Sequence, residues 1–320
     1  MRRRLTFALQ LVVSGGLIAY LLWLVDVERT VDLIVSSDPA WLLAALAIFF
    51  VTTWGMSWRW QILLASKGIR EPLGWLTKLY FVSYAAGQVL PTSVGGDAVR
   101  IVDHARRRPH ARGEVAAAVV MERVVGAAAT LVMVALGLAI AVGRYGDVRL
   151  FVWAEIISVA ALALTAALLF SRRLGDHLVA RVFPLGRRLR LEGPLRSLYA
   201  ALHGYRDRPA ALAAVLVATI AVQIPRFVAI WMCGKAVGVE LSPVPYIVLG
   251  PLLFLVMLMP FTINGLGVRE AFFVAFPARF DVSYDAAFAT GFLFYVVTVL
   301  TSLPGGFILL WRSLRPAPVA

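Results

Sequence analysis

Two ten-residue stretches carry the residue types from which a headgroup- or ion-handling site could be built. The first reads Pro91-Thr92-Ser93-Val94-Gly95-Gly96-Asp97-Ala98-Val99-Arg100. The second reads Pro260-Phe261-Thr262-Ile263-Asn264-Gly265-Leu266-Gly267-Val268-Arg269 and is followed directly by Glu270. Proline, glycine, valine and arginine coincide at Pro91/Pro260, Gly96/Gly265, Val99/Val268 and Arg100/Arg269, and Ser93 stands opposite Thr262. Upstream, Arg59-Trp60 precedes Pro91 by 32 residues and Arg226-Phe227 precedes Pro260 by 34, so the match covers a helix plus a motif.

The chemistry follows from the residue types. A proline cannot continue a hydrogen-bonded helix, so the backbone breaks at Pro91 and Pro260. Ser93, Thr262 and Asn264 can satisfy freed backbone groups. Gly95, Gly96, Gly265 and Gly267 permit close backbone approach. A helix that begins after each break aims free N–H groups and its dipole at the gap, a seat for an anion. Arg100 and Arg269, about one turn in, can add a bidentate grip on phosphate. The alternative is that these arginines only snorkel to headgroups.

Glu122 and Arg123 lie inside a long apolar run, where charge is expensive and needs partners. Neighbouring residues point to different faces of a helix. Glu122 is therefore expected to pair with Arg100, and Arg123 with Asp97, as a brace or as part of a binding site. Glu270 neutralises Arg269 or accepts a proton. Gln88 and Gln223 line a cavity or act as interhelical glue. Asp103 and His104 are read as a solvated basic face.

The elements that position these residues are apolar and helical. The chain has 320 residues, 61% hydrophobic and 15% charged, too little charge to cover a soluble domain. Long apolar runs at 5–25, 40–58, 115–142, 150–170, 209–233 and 284–311 read as six full spans. The run 209–233 is interrupted by Gln223, Pro225 and Arg226. Apolar stretches 75–90 and 244–259 stop at the two prolines and are expected to be re-entrant. Residues 26–38 and 172–208 read as loops, the latter with nine arginines, and Trp58-Arg59-Trp60 as an interfacial cluster. Residues 5–25 follow three arginines and no cleavage signal follows them, so they are read as an uncleaved first span.

The net charge of +13 is better explained by topology than by nucleic acid. With re-entrant segments and a cytoplasmic N-terminus, 23 Lys and Arg fall inside and 5 outside, with Arg123, Arg226 and Arg269 near or within the membrane. This places a multi-pass protein in the cytoplasmic membrane with both termini cytoplasmic. The fold class is all-α: one integral membrane domain, 1–320, with halves of about 1–145 and 146–320. An odd number of spans per half turns the second half upside down, an inverted repeat of the kind secondary transporters use. The single cysteine, Cys233, permits no intrachain disulfide, and the four scattered histidines lack metal-ligand spacing. No metal, cofactor or catalytic residue is expected.

The chain resembles the lysylphosphatidylglycerol synthase transmembrane-region family, also called flippase-like membrane proteins. The resemblance rests on Leu90-Pro91, Gly95-Gly96-Asp97 with Arg100, Glu122-Arg123, Pro260 and the run Asn264 to Glu270, and it covers nearly the whole chain. It implies movement of an aminoacylated phospholipid between leaflets, and it does not imply the synthase activity of the soluble domain found in some members. The expected function is translocation of a polar, phosphate-bearing lipid, with a membrane lipid as partner. No nucleotide-binding loop occurs, so active transport would draw on gradients. Two rival readings stay open. One is an intramembrane transferase using Asp97, Glu122 or Glu270 as acid or base. The other is a non-transporting partner of a lipid-modifying enzyme. Beside the lipid, the partner expected is a second copy of the chain, as a homo-oligomer, or a lipid-modifying enzyme.

Overall fold

The computed structural model describes residues 19–21, 23–90, 95–141, 192–257 and 282–314, with Phe273 and scattered positions between 153 and 167. Every regular element among the described residues is helical. Most of the expected spans 5–25 and 150–170 lies outside them, as does the second motif, 260–270.

Helix α1, Val27–Val35, begins where the Asp26 side chain accepts from the Arg29 N–H at 3.1 Å. It is followed by α2, Pro39–Ser66, capped by Asp38 with proline at its start. Gly68, at φ +78°, ends α2 by turning the chain left-handed, which glycine does without a Cβ penalty. Next come α3, Leu73–Val89, α4, Gly95–Arg107, a 3₁₀ turn at Pro109–Ala111, and α5, Arg112–Ala141. The second half holds α6, Glu192–His203, α7, Pro209–Ala236, α8, Pro243–Met257, and α9, Tyr284–Leu314. Gly238, at φ +81°, ends α7 with the same backbone pattern that ends α2.

Three pairs of described helices are similar in length. Helices α2 and α7 have 28 residues each, α3 and α8 have 17 and 15, and α5 and α9 have 30 and 31. Their packing is reciprocal: α3 lies on α9 and α8 on α5, while α1 lies on α9 and α6 on α5. The long helices α2 and α7 meet along their length in opposite directions. The Asp38 N–H donates to the Ala236 carbonyl at 2.9 Å, Trp41 meets Trp231 edge-on at 5.4 Å, Gly55 lies against Val222, and Arg59 donates to the Thr219 hydroxyl at 2.9 Å.

Two apolar clusters anchor this arrangement. One gathers Phe49, Phe227, Ile230, Phe273, Phe294 and Val297, and the other Trp60, Leu63, Leu76, Val115, Met121 and Val215. Four described helices are long and apolar enough to cross a membrane: Pro39–Ser66, Pro109–Gly137, Pro209–Ala236 and Tyr284–Leu314. Their outer faces keep large apolar side chains uncovered, among them Val51 at 72%, Val217 at 66% and Phe307 at 69% exposure, as lipid-facing surfaces do.

Several boundaries differ from the sequence reading. Helix α2 does not stop at residue 58 but runs eight residues further, because Gln61 to Leu64 keep an apolar, buried face. Arg59 is consequently a buried residue and not part of an interfacial cluster. Segment 26–38 contains α1, and segment 172–208 contains α6. Helix α7 passes through Pro225 without a break. Neighbouring helices can hold a proline-containing turn in a membrane bundle, which is why an internal proline alone was a poor stop signal.

Candidate functional site

Four helices converge on a buried ionic cluster. Helix α2 supplies Arg59, α3 supplies Tyr80, α4 supplies Asp97 and Arg100 one turn apart, and α5 supplies Glu122 and Arg123. Arg59 Nη2 donates to Glu122 Oε1 at 2.6 Å, and Arg100 Nη2 lies 2.9 Å from Glu122 Oε2. Arg100 also reaches Asp97 at 3.0 Å, and Arg123 pairs with Asp97. The Tyr80 hydroxyl donates to Glu122. Arg100 is 2% exposed and packed over the rings of Trp60 and Tyr80, 4.8 and 4.4 Å from their centroids. Each charge is thus met by an opposite charge, as burial at this depth demands.

The local fold explains the convergence. Helix α3 ends at Val89, shortly before Pro91 in the sequence, and α4 begins at Gly95, as the proline and glycines predict. A Cβ on Gly96 would strike the Ser83 carbonyl oxygen and hydroxyl, so only glycine lets the first turn of α4 lie flat on α3. That contact fixes the height of Asp97 and Arg100 against Glu122 and Arg123. Both expected pairs, Arg100 with Glu122 and Arg123 with Asp97, are present.

Beside the cluster lies a cavity of about 420 Å³. Its walls are helical stripes at three- and four-residue spacing: Tyr80, Ser83, Tyr84, Gly87 and Gln88 from α3, and Glu122, Arg123, Gly126, Ala127 and Thr130 from α5. The second half contributes Gln223 and Arg226 from α7, with Phe294, Tyr295, Thr298 and Thr301 from α9. Arg226 Nη2 donates to the Tyr84 hydroxyl at 3.0 Å, and its guanidinium sits 4.8 Å from the Phe49 ring centroid. Four arginines and two carboxylates line the cavity, so its described wall carries net positive charge.

A third buried group lies under α4. Glu71, 5% exposed, faces His104 at 3.5 Å, Arg108 at 3.0 Å and Arg107 at 3.8 Å. His104 is fully buried between the rings of Trp60 and Trp75, not on a solvated face. Desolvation holds its pKa below the ordinary 6.5, against the opposing pull of Glu71.

Of the residues singled out from sequence, Gly96, Asp97, Arg100, Glu122 and Arg123 come together at this site, while Gly95 starts α4 against the Leu90 side chain. Ser93, Thr262, Asn264, Gly265, Gly267, Arg269 and Glu270 lie outside the described residues. Sequence reasoning missed Arg59 as the second partner of Glu122, and it missed Tyr80, Tyr84 and the Glu71–His104 pair. The signal for Arg59 was available: the apolar pattern continues past it for more than a turn, which puts a cation inside a span.

The family model described as the lysylphosphatidylglycerol synthase TM region matches residues 7–305. The chain is also similar to the glycosyltransferase AglD of Haloferax volcanii, at 27% identity over 343 aligned positions that cover 95% of this chain and 54% of AglD. It spans about half the length of that relative. With its glycine-led α4, its buried Glu122 beside Arg123 and a family match across nearly its whole length, the chain is a multi-pass membrane protein belonging to the lysylphosphatidylglycerol synthase transmembrane-region family.

Proposed function

We propose that this protein moves a polar, phosphate-bearing lipid between the leaflets of the cytoplasmic membrane. The observation that carries the reading is the cavity of about 420 Å³, walled by helices of both halves and lined by four arginines against two carboxylates. A lipid phosphate would supply the missing negative charge there, while the acyl chains stay in the bilayer. Antiparallel α2 and α7, with reciprocal packing of the flanking helices, support an inverted repeat of six spans and two re-entrant segments. In that arrangement the first motif, 91–100, opens to the cytoplasm, the second, 260–269, opens outward, and both termini are cytoplasmic. Residues 1–320 then act as one membrane domain with halves meeting near residue 145.

A second reading, headgroup transfer within the membrane, draws on the similarity to AglD, a glycosyltransferase by name. The site's chemistry favours translocation. Glu122 is clasped by two guanidiniums and Asp97 by two, so both carboxylates are engaged by the protein's own cations and not set towards a bound headgroup. On our reading the part shared with AglD handles the lipid.

The test is leaflet exchange of fluorescent phosphatidylglycerol and of a polyprenyl phosphate in proteoliposomes. Exchange faster than in protein-free vesicles is expected for at least one of them. No acceleration for either lipid, with protein shown to be folded, rejects the proposal. Product formation from purified protein with a sugar or aminoacyl donor would instead establish the transferase.

A further inference from the structure

The three arginines of the ionic cluster and the fourth, Arg226, stand in different states. Arg59, Arg100 and Arg123 share Glu122 and Asp97 between them. Arg59 and Arg226 occupy corresponding regions of α2 and α7, yet only Arg59 meets a carboxylate among the described residues. Arg226 has the Tyr84 hydroxyl and the Phe49 ring; its Nε is buried with no acceptor among the described residues, as are Arg59 Nε and Arg100 Nη1, so what sets it apart is the lack of a carboxylate there. A guanidinium that lines the cavity and meets no carboxylate among the described residues is the point at which an entering anion gains most.

One turn away on α7, Gln223 presents the opposite need. Its Nε2 donates to the Thr130 hydroxyl at 3.3 Å, and that hydroxyl spends its own proton on the Gly126 carbonyl at 3.0 Å. Thr130 can then only accept from Gln223, which fixes the amide's orientation and leaves Oε1 as an acceptor. Gln223 Oε1 is buried with no donor, and so is Gln88 Oε1 on the α3 wall. Among the described residues of the cavity, Arg226 thus lacks an anion and Gln88 and Gln223 lack donors for their Oε1 atoms. Gln223 and Arg226, three residues apart, lie on one helix face about 5–6 Å from each other, within the span of a small phosphate ester.

We infer that Arg226, and not the Arg59–Arg100–Arg123 cluster, receives the anionic group, while Gln88 and Gln223 select a phosphate ester that also carries hydroxyl or amine donors. The cluster is the scaffold that holds α3, α4 and α5 in place around this pocket. The inference rests on the reading of the cavity as a lipid-headgroup site.

The test uses the full chain in detergent and measures retained lipid by native mass spectrometry. Three probes separate the contributions: phosphatidylglycerol, phosphatidylmethanol of equal charge but without hydroxyls, and uncharged diacylglycerol. Phosphatidylglycerol is expected to bind about tenfold more tightly than phosphatidylmethanol, the scale of a gained hydrogen bond or two. Arg226→Met lowers both phospholipids towards the diacylglycerol level, and Arg226→Lys recovers part of the loss. Gln223→Leu combined with Gln88→Leu brings phosphatidylglycerol down to the phosphatidylmethanol level. Competition with soluble sn-glycerol 1-phosphate and methyl phosphate distinguishes a free phosphate ester from a lipid as the source of the same chemistry.

Equal retention of the two phospholipids by the unmodified protein overturns the inference. So does a folded Arg226→Met that keeps both at the original level. Should Arg226→Met fail to fold, a preference for phosphatidylglycerol that survives the double glutamine substitution overturns it instead. Leaflet exchange that is insensitive to all of these substitutions sinks this assignment and leaves translocation standing. The expected binding pattern without any leaflet exchange does the reverse.

Discussion

Glu122 is the residue on which the first half's charges converge. It receives Arg59, Arg100 and the Tyr80 hydroxyl in a pocket where its own side chain is 3% exposed. Removing its charge leaves buried Arg59 without a carboxylate among the described residues and Arg100 with Asp97 alone, and breaking a buried pair in this way typically costs about 3–5 kcal/mol. Glu122→Gln is therefore expected to lower the thermal midpoint sharply in detergent, and an unchanged midpoint would show the cluster to be dispensable. His104 makes a pH prediction of the same local kind. Burial holds its folded pKa below 6.5, so the unfolded chain takes up more protons as the pH falls through 6.5 towards the lower folded value. Stability from neutral His104 is complete above pH 6.5 and lost progressively below it. Midpoints measured from pH 7.5 to pH 5 should fall more steeply for the unmodified protein than for His104→Phe. Parallel slopes would exclude His104 as the source.

At the scale of elements, glycine decides how closely helices approach. A Cβ on Gly305 of α9 would run into the Phe81 carbonyl on α3, whereas one on Gly306 would meet nothing. Gly305→Ala is therefore expected to destabilise by about 1–3 kcal/mol through forced separation of α3 from α9. Gly306→Ala should be neutral or stabilising by about 0.5–1 kcal/mol, since it removes backbone freedom in a helix. Scanning fluorimetry of the two variants side by side gives the comparison, and equal midpoints would mean that the α3–α9 contact is not tight. The same logic applies to α4, whose first turn can lie on α3 only because Gly96 has no side chain.

For the whole molecule, the consequential relation is the opposition of α2 and α7. Their glycine-capped ends, at Gly68 and Gly238, lie at opposite ends of an antiparallel pair. If the pair crosses the bilayer, the exposed residues Arg70 and Glu240 just beyond those caps face different compartments. Arg70→Cys should be labelled by an impermeant maleimide only after the cytoplasmic side is opened, and Glu240→Cys from outside intact cells, with buried Cys233 silent. Labelling of both from one side would remove the basis for alternating access.

Much of this was written in residue order. Hydropathy and length identified a helical membrane protein, because no water in the bilayer core means that the backbone must pair with itself. Pro91 followed by Gly95 and Gly96 marked the start of α4, and the depth of Glu122 and Arg123 demanded partners that Arg100 and Asp97 supply. Local pattern also misled: Trp58-Arg59-Trp60 reads as an interface, Pro225 as a break and His104 as solvated, because each reading takes a residue's neighbours in the chain for its neighbours in space. Which arginine meets which carboxylate depended on four helices converging, a relation between positions as far apart as Arg59 and Glu122. That Arg226 keeps its charge beside a cavity, while Arg59 spends its own, was decided only by the tertiary structure. The two arginines sit in similar sequence, and only the packing of α3, α5 and α9 around them brings a carboxylate to one and a tyrosine to the other.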